Sequence, residues 1–338
     1  MCVGAFSTEH PDYALILAAN RDEVLDRPTE HARFRRSFKD HDESVGHVRP
    51  DILCGLDLQA GGTWLGLNKT SGCVTFLTNI TEPHAKYELS RGYLVSSLLL
   101  PSSPGDSNST REEIQHLLDL QLRFGGFNLL VFIPRLSHSG SESEGSWKLS
   151  YEVTKLSNNG GGNPIVSRPL TSEERQAGAM SNGIDGEGGD EWPKVKDAGK
   201  SLKEVLQDDF ERGERLGSNS RSDEELAEEL FGILTHCHPQ NPGCRYELRN
   251  TVQVVPFALS SEDPGTAEGA ERVSSSACHK NLYGTMLSTV ILVKRNGEVL
   301  FKERDIWSCG PDGAPVRSTD RSTDRVFRFN LAVIPPSS

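Results

Sequence analysis

The chain of 338 residues has no long hydrophobic runs and few aromatic side chains, which make up 7% of the sequence. No stretch of eighteen consecutive apolar residues occurs, so we expect no transmembrane segment. The most apolar early segment, residues 13–19, is too short for the core of a signal peptide, and acidic Glu9 and Asp12 precede it. We therefore expect the protein to remain inside the cell, in the cytoplasm.

Positive charge is also scarce. The sequence has 36 basic against 48 acidic residues, which gives a net charge of −12. Proteins that bind nucleic acids show a basic patch or stripe, so we expect no nucleic-acid partner. The seven cysteines are odd in number and irregularly spaced, which predicts free thiols in a reducing compartment.

Signatures of a bound metal or of covalently attached haem are absent. The cluster of His236, Cys237 and His238 with Cys244 is the best zinc candidate, but its spacing fits no standard zinc pattern, and proline and glycine nearby indicate an ordinary loop. We expect no metal site and no required cofactor. Haem bound without a covalent link leaves no such sequence signature, so haem remains open as a transported ligand.

The second residue of the chain is a cysteine, and its small side chain permits removal of Met1 by methionine aminopeptidase. Cys2 would then carry a thiol and a free α-amine on one carbon. The α-amine has a pKa of about 8, so part of it is unprotonated near neutral pH and can take the proton of the thiol. This is the chemistry of N-terminal nucleophile hydrolases. In the alternative interpretation Cys2 is a small buried hydrophobic residue.

Short apolar runs separated by turn residues predict antiparallel hairpins, and longer periodic segments predict helices. We expect the residues Arg21 to Glu23 to lie just past the end of the second strand. These elements form one α+β domain over residues 1–338. The predicted strand pairs are 2–6 with 13–19, 63–67 with 72–77, 127–133 with 147–153 and 286–293 with 299–304, followed by a strand at 326–333, and the predicted helices cover 90–99, 112–122, 194–206 and 223–234.

Polar segments rich in Ser, Gly, Pro and acidic residues interrupt this domain, and we interpret them as surface loops or disordered inserts. They lie near residues 101–110, 137–146, 158–163, 183–190, 260–276 and 312–325.

A series of short motifs, in order along nearly the whole chain, resembles the NRDE family, also called the Transport and Golgi organisation protein 2 family. Any one tetrapeptide would be weak evidence, but their shared order is specific. After Met1-Cys2 the motifs are Asn20-Arg21-Asp22-Glu23 with Arg27-Pro28, Gly55-Leu56-Asp57, residues 61–66, Leu77-Thr78-Asn79, residues 90–95, residues 126–129, Met180-Ser181-Asn182, residues 192–195 and Tyr283-Gly284-Thr285.

This resemblance implies the four-layer fold of N-terminal nucleophile hydrolases, with two antiparallel sheets between helical layers. It also implies a role in Golgi organisation and protein secretion, with handling of a lipid-like small molecule or of haem, and an association with the Golgi or with mitochondria. The alternative function is that of an active cysteine amidohydrolase that cleaves a linear, non-peptide acyl amide after loss of Met1.

The resemblance to cysteine amidases also implies roles for five residues. Cys2 would be the nucleophile, and Arg21 would favour its thiolate. Asp22 would orient the α-amine, Asn79 would donate to the oxyanion, and Asn182 would hold the substrate or the amine. In the structural alternative Arg21 and Asp22 form an ion pair at a strand end, and Asn79 is a turn residue.

The chain departs from the family pattern after Tyr283-Gly284-Thr285, where the family has an arginine and this sequence has Met286. The missing arginine favours a ligand-handling role over hydrolysis, unless Arg245, Arg249 or Arg272 replaces it.

Overall fold

The computed structural model describes residues 2–38, 51–83, 85–100, 107–119, 122–138, 147–216, 221–259 and 281–333. Within these residues the chain is an α+β protein with two large antiparallel sheets and several helices, as the sequence predicts. The strands are β1 (Val3–Ser7), β2 (Tyr13–Val24), β3 (Thr29–Arg35), β4 (Ile52–Asp57), β5 (Leu65–Asn68), β6 (Val74–Asn79), β7 (Phe127–His138), β8 (Trp147–Ser157), β9 (Val166–Pro169), β10 (Gly178–Met180), β11 (Phe257–Ala258), β12 (Leu282–Lys294), β13 (Glu298–Asp305), β14 (Trp307–Cys309), β15 (Pro315–Arg317) and β16 (Arg325–Asn330). The α-helices are α1 (Gly92–Leu99), α2 (Ser107–Asp119), α3 (Ser172–Ala177), α4 (Pro193–Leu216) and α5 (Asp223–Leu234), with two short 3-10 helices at Arg245–Asn250 and Arg321–Thr323.

The two sheets differ in how the chain runs through them. The first sheet has the strand order β10-β1-β2-β12-β13-β16, with β11 paired to one end of β12. The second sheet is a meander in which β3 to β9 pair in chain order. The first sheet therefore brings together strands from both ends of the sequence, and β1, at the start of the chain, lies between β10 and β2.

Three buried clusters hold these elements together. One cluster joins the facing sides of the two sheets, with Leu17 and Phe301 from the first sheet against Phe76 and Phe132 from the second. Another packs α4 and α5 on the first sheet, and a third packs α1 and α2 on the second. Burial of these apolar surfaces is the main favourable contribution to folding.

Several predicted elements are confirmed, with altered ends. The first hairpin forms as predicted, but β2 runs to Val24, so Arg21 and Asp22 lie inside the strand and not past its end. The predicted helix at 223–234 is α5. Of the segments interpreted as inserts, 101–110 includes the start of α2 and 312–325 includes β15, whereas residues 260–276 lie outside the described part of the chain.

The prediction that every cysteine is a free thiol is wrong for Cys309, which is disulfide-bonded. Cys2, Cys54, Cys73 and Cys237 are free, as is Cys244. In the described residues no helix is long and apolar enough to cross a membrane, and no three side chains of His, Cys, Asp or Glu are grouped so that they could hold a metal ion.

Candidate active site

The pairing of β1 with β2 brings the start of the chain to the Asn-Arg-Asp motif. Val3 lies opposite Asn20 in the pairing of β1 with β2. Cys2 directly precedes β1, so the same register places it opposite Arg21. Two residues further on, Gly4 passes so close to the Phe76 ring that it leaves no room for a side chain. The position of Cys2 is therefore fixed by both a hydrogen-bonded strand and a tightly packed core.

Successive side chains of β2 point to opposite faces of the sheet, so Asn20 and Arg21 lie on different faces. Asn20 is buried and structural. Its Nδ2 donates to the carbonyls of Leu234 and Val252, each at 3.0 Å, and its Oδ1 accepts from Ser288 Oγ at 2.6 Å. Asn20 thus ties the strand to the end of α5 and to β12.

Arg21 points toward the second sheet and is 5% exposed. Its guanidinium lies 4.2 Å from the centre of the Trp64 ring and donates to Thr29 Oγ1 at 2.9 Å. Asp57 is its ion-pair partner at 3.9 Å, and Met286 Sδ lies 3.3 Å from Nη1. Burial lowers the pKa of Arg21, but an arginine remains charged at neutral pH.

Asp22 is 3% exposed, and its Oδ1 accepts a hydrogen bond from Thr285 Oγ1 at 2.6 Å. The hydroxyl of Tyr283 donates to its backbone carbonyl at 2.8 Å. Burial raises the pKa of Asp22, and the positive charge of Lys194 opposes that rise. The tripeptide Tyr283-Gly284-Thr285 therefore holds Asp22 in place from the neighbouring strand.

Cys2 is a partly exposed residue whose thiol lies among protein atoms. Burial raises the pKa of the thiol, and the carboxylate of Asp22 raises it further. The positive charge of the N-terminus, a hydrogen bond from the backbone N–H of Asp22 and the charge of Arg21 act in the opposite direction. The predicted neighbourhood of Cys2, Arg21 and Asp22 is thus present, with three effects that favour the thiolate and two that oppose it.

Asn79 and Asn182 join this neighbourhood through Ser181. The Ser181 hydroxyl lies 2.7 Å from the Cys2 carbonyl oxygen, and the Asn182 amide donates to the carbonyl of Asn79. Asn182 is buried and so positions Asn79 at the end of β6. The Asn79 Oδ1 is buried with no hydrogen-bond partner among the described residues, so this oxygen can accept a hydrogen bond from a ligand. The catalytic roles of both residues remain predictions.

Lys194 is the residue of this site that the sequence reasoning missed. It is 0% exposed, and its ammonium interacts electrostatically with Asp22 and Cys2. The sequence held a signal, because Lys194, Ala198 and Leu202 recur at the four-residue spacing of one helix face, and both other residues are fully buried. A lysine on an otherwise apolar helix face indicates a candidate site residue, as the NRDE motif does.

Two of the three arginines proposed to replace the family arginine lie in the described part of the chain. Arg245 packs over the Tyr283 ring at 5.1 Å and so lies near the strand that holds Asp22, while Arg249 packs over Tyr246 at 3.9 Å. Arg272 lies outside the described residues.

Met286 also lines a cavity of about 790 Å³. The lining combines apolar and polar side chains, and it includes Thr29, which contacts Arg21 as Met286 does. The lining also includes Leu25, Arg27, His31, Trp307 and Val316.

Fold and site together define an α+β protein in which Cys2 lies beside a buried Asn-Arg-Asp strand. The sequence matches the profile of the Transport and Golgi organisation 2 family over residues 1–308, and the chain belongs to this family. The resemblance inferred from the motifs is confirmed.

Its relatives span nearly the whole chain. The Transport and Golgi organization 2 homolog of Mus musculus is 29% identical over 329 residues, which cover 94% of this chain and 93% of the mouse protein. The bovine homolog is 28% identical over 306 residues, covering 88% and 89% of the two chains. An uncharacterised protein of Saccharomyces cerevisiae is 26% identical over 351 residues, covering 98% of this chain and 100% of its own length.

Proposed function

We propose that this protein handles a lipid-like small molecule, which it binds in the cavity beside Met286, on the four-layer scaffold of N-terminal nucleophile hydrolases. The three buried clusters support such a scaffold, since helices pack on the outer side of each sheet and the sheets pack on each other. The names of the family and its relatives support a role in transport and Golgi organisation. We propose that the protein exerts this role from the cytoplasm and that it serves protein secretion.

The cavity is the observation that carries this proposal. Ligand sites in proteins typically enclose about 300–1,000 Å³ and combine apolar walls with a few polar groups. Here Leu25, Met286 and Trp307 supply apolar wall, while Arg27 and His31 supply polar groups for a head group. Met286 replaces the charged residue of the family pattern with an apolar one, which suits an acyl chain.

Val316→Trp is expected to weaken binding of a fluorescent fatty acyl probe at least tenfold, because the indole would occupy cavity volume. Val316 is 48% exposed, so the fold should tolerate the larger side chain. The matched control is Val166→Trp, a valine that is 49% exposed and lies outside the cavity lining. Equal affinity of both variants and the unaltered protein would reject the cavity as the binding site.

Haem is the other ligand that the same titration tests. His31 and Met286 both line the cavity, and both residue types ligate haem iron. A shift of the haem absorption spectrum that is lost in Val316→Trp, without binding of the acyl probe, would identify haem as the ligand.

The second candidate function is hydrolysis of an acyl amide at Cys2. It is favoured by the hydrogen bond from the Asp22 N–H to the thiol and by the nearby guanidinium of Arg21. Both are arrangements that stabilise a thiolate nucleophile.

Cys2→Ala is expected to reduce turnover of a fluorogenic fatty acyl amide at least 100-fold, because the reacting sulfur is removed. Alanine is small, so processing of Met1 should be unchanged. Cys237→Ala, which removes a free and exposed thiol, serves as the control and should retain full turnover. Turnover that persists in Cys2→Ala would exclude hydrolysis at this residue.

A further inference from the structure

The residue that replaces the family arginine lies in a β-bulge. Its neighbours Thr285 and Leu287 pair with consecutive residues of β2, so Met286 between them has no partner on that strand. A bulge takes one side chain out of the regular alternation of a strand, and bulges are common next to active sites. The carbonyl of Met286 accepts a hydrogen bond from the N–H of Ile306 at 2.8 Å. The backbone of Met286 is therefore fixed, and the bulge sets the direction of its side chain.

The thioether of Met286 lies against a buried cation. Arg21 Nη1 donates to Met286 Sδ at 3.3 Å and to Thr29 Oγ1 at 2.9 Å. The ion pair of Arg21 with Asp57, at 3.9 Å, is too long for a hydrogen bond. A thioether sulfur is only a weak acceptor. A charged donor therefore faces a weak acceptor, and an oxygen atom bonded to this sulfur would accept from the guanidinium more strongly.

The same side chain also faces the cavity. Met286 is partly exposed and lines the space of about 790 Å³, so a small oxidant dissolved in water can reach it. The other methionine in the described part of the chain is Met180, which is 3% exposed and belongs to the cluster between the two sheets. Dissolved reagents therefore reach Met286 more readily than Met180.

A second sulfur in the lining of this cavity is already oxidised. Cys309 lines the cavity, belongs to the same small apolar cluster as Met286, and is disulfide-bonded. The other cysteines in the described ranges are free thiols. Disulfides in cytoplasmic proteins are usually transient, catalytic or redox-sensing. The disulfide is thus an observation, independent of the contact with Arg21, that associates sulfur oxidation with this cavity.

We propose that Met286 is a site of oxidation by peroxides and that Arg21 binds the resulting sulfoxide oxygen. The sulfoxide introduces a polar, hydrogen-bonded group into the apolar part of the cavity lining, so oxidation lowers the affinity of the cavity for an acyl chain. This regulation of binding rests on the proposed ligand-handling function, whereas the oxidation site itself does not.

The reaction balances with hydrogen peroxide as the oxidant. A lone pair of Met286 Sδ forms a bond to one peroxide oxygen, and the O–O bond breaks. The second oxygen takes the remaining proton of the peroxide and leaves as water. The sulfur loses two electrons, and the peroxide gains them.

The position of Arg21 on one side of the sulfur provides a test that needs no ligand. The sulfur of a sulfoxide is chiral, and a separate class of methionine sulfoxide reductase acts on each of the two epimers. An unrestrained methionine side chain gives both epimers in similar amounts. At Met286 the oxygen that Arg21 Nη1 can bind lies on one side of the sulfur, so one epimer should predominate.

The experiment treats the folded protein with hydrogen peroxide and follows the oxidation of each methionine by peptide mass spectrometry. The digest is then divided between the two classes of reductase, which gives the share of each epimer. Arg21→Leu removes the guanidinium without adding a sulfur, and Arg21→Lys retains a cation with a different donor geometry.

Met286 is expected to be oxidised at least tenfold faster than Met180, and one class of reductase should reduce most of its sulfoxide. In Arg21→Leu the two epimers should become similar in amount, whereas Arg21→Lys should keep a smaller excess of one epimer. Continued protection of buried Met180 in each variant confirms that the variant is folded.

Binding of the fluorescent fatty acyl probe measures the consequence of oxidation. Peroxide is expected to weaken binding to the unaltered protein at least tenfold. In Met286→Leu, which removes the sulfur at nearly constant volume, the affinities before and after peroxide should be equal. The comparison is made within each protein, so effects of the substitution itself and of oxidised cysteines do not enter it.

Two results would overturn the oxidation site: oxidation of Met286 that is no faster than that of Met180, or equal amounts of both epimers in the unaltered protein. Probe binding that survives complete oxidation of Met286 would overturn the regulation of the cavity. If the untreated protein binds no acyl probe, the proposed ligand-handling function fails, and the rate of oxidation and the ratio of epimers still decide the oxidation site.

Discussion

Replacing Gly4 with valine is expected to destabilise the protein by about 3 kcal/mol or more, the largest effect on stability that we predict. A Cβ atom at Gly4 would lie 2.3 Å from Phe76 Cε1 and 2.8 Å from Phe76 Cζ. Both distances are far below van der Waals contact, and Phe76 is fully buried between the two sheets. Neither the ring nor β1 can move without opening the core.

The measurement is urea unfolding followed by tryptophan fluorescence, and the control is another glycine. A Cβ atom at Gly232 in α5 would meet no atom within 4 Å, so Gly232→Ala should leave stability unchanged or raise it by up to about 1 kcal/mol. Equal stability of Gly4→Val and the unaltered protein would show that β1 is not seated against the second sheet as described.

Asp22→Asn is expected to lower the pKa of the Cys2 thiol by about one unit and to speed its alkylation at pH 7 about tenfold. The negative charge of Asp22 raises the pKa of the thiol, so removing this charge favours the thiolate. Asparagine keeps an oxygen that can accept the hydrogen bond from Thr285. The backbone N–H of residue 22 still donates to the sulfur.

The direction of the change in alkylation rate distinguishes an electrostatic effect of Asp22 on the thiol from a catalytic role of its carboxylate. Alkylation of Cys2 should become half-maximal at lower pH in Asp22→Asn, although any turnover that needs the carboxylate would fall. Asp12→Asn, which removes an exposed carboxylate from the turn of the same hairpin, is the control and should leave the pH profile unchanged. A slower reaction in Asp22→Asn would mean that the carboxylate acts mainly by keeping the strand in place.

The sequence predicted those parts of the fold that carry a local pattern. The first hairpin alternates apolar runs with a turn, and α5 begins with a serine cap, so both could be predicted from neighbouring residues. The length of β2 could not, because its polar end is buried by Trp64 and Thr285, which are distant in sequence. Short strands such as β9 and β10 likewise exist because of their partners and lack a hydrophobic pattern of their own.

The sequence likewise predicted some residues of the candidate site and missed another. Cys2, Arg21 and Asp22 stood out because their chemistry is visible in the residue types, and the structure brings them together. Lys194 did not stand out, since a lysine near the start of a polar helix usually faces water. Only the packing of α4 on β1 and β10 reveals that this lysine is buried.

One measurement tests most directly the central claim that Cys2 shares one electrostatic site with the two charged residues of β2. It is the pH at which Cys2 alkylation is half-maximal, compared between Asp22→Asn, Arg21→Met and the unaltered protein. The account predicts opposite displacements, downward for Asp22→Asn and upward for Arg21→Met, because one variant removes a negative charge near the sulfur and the other a positive one. Three superimposable profiles would contradict it.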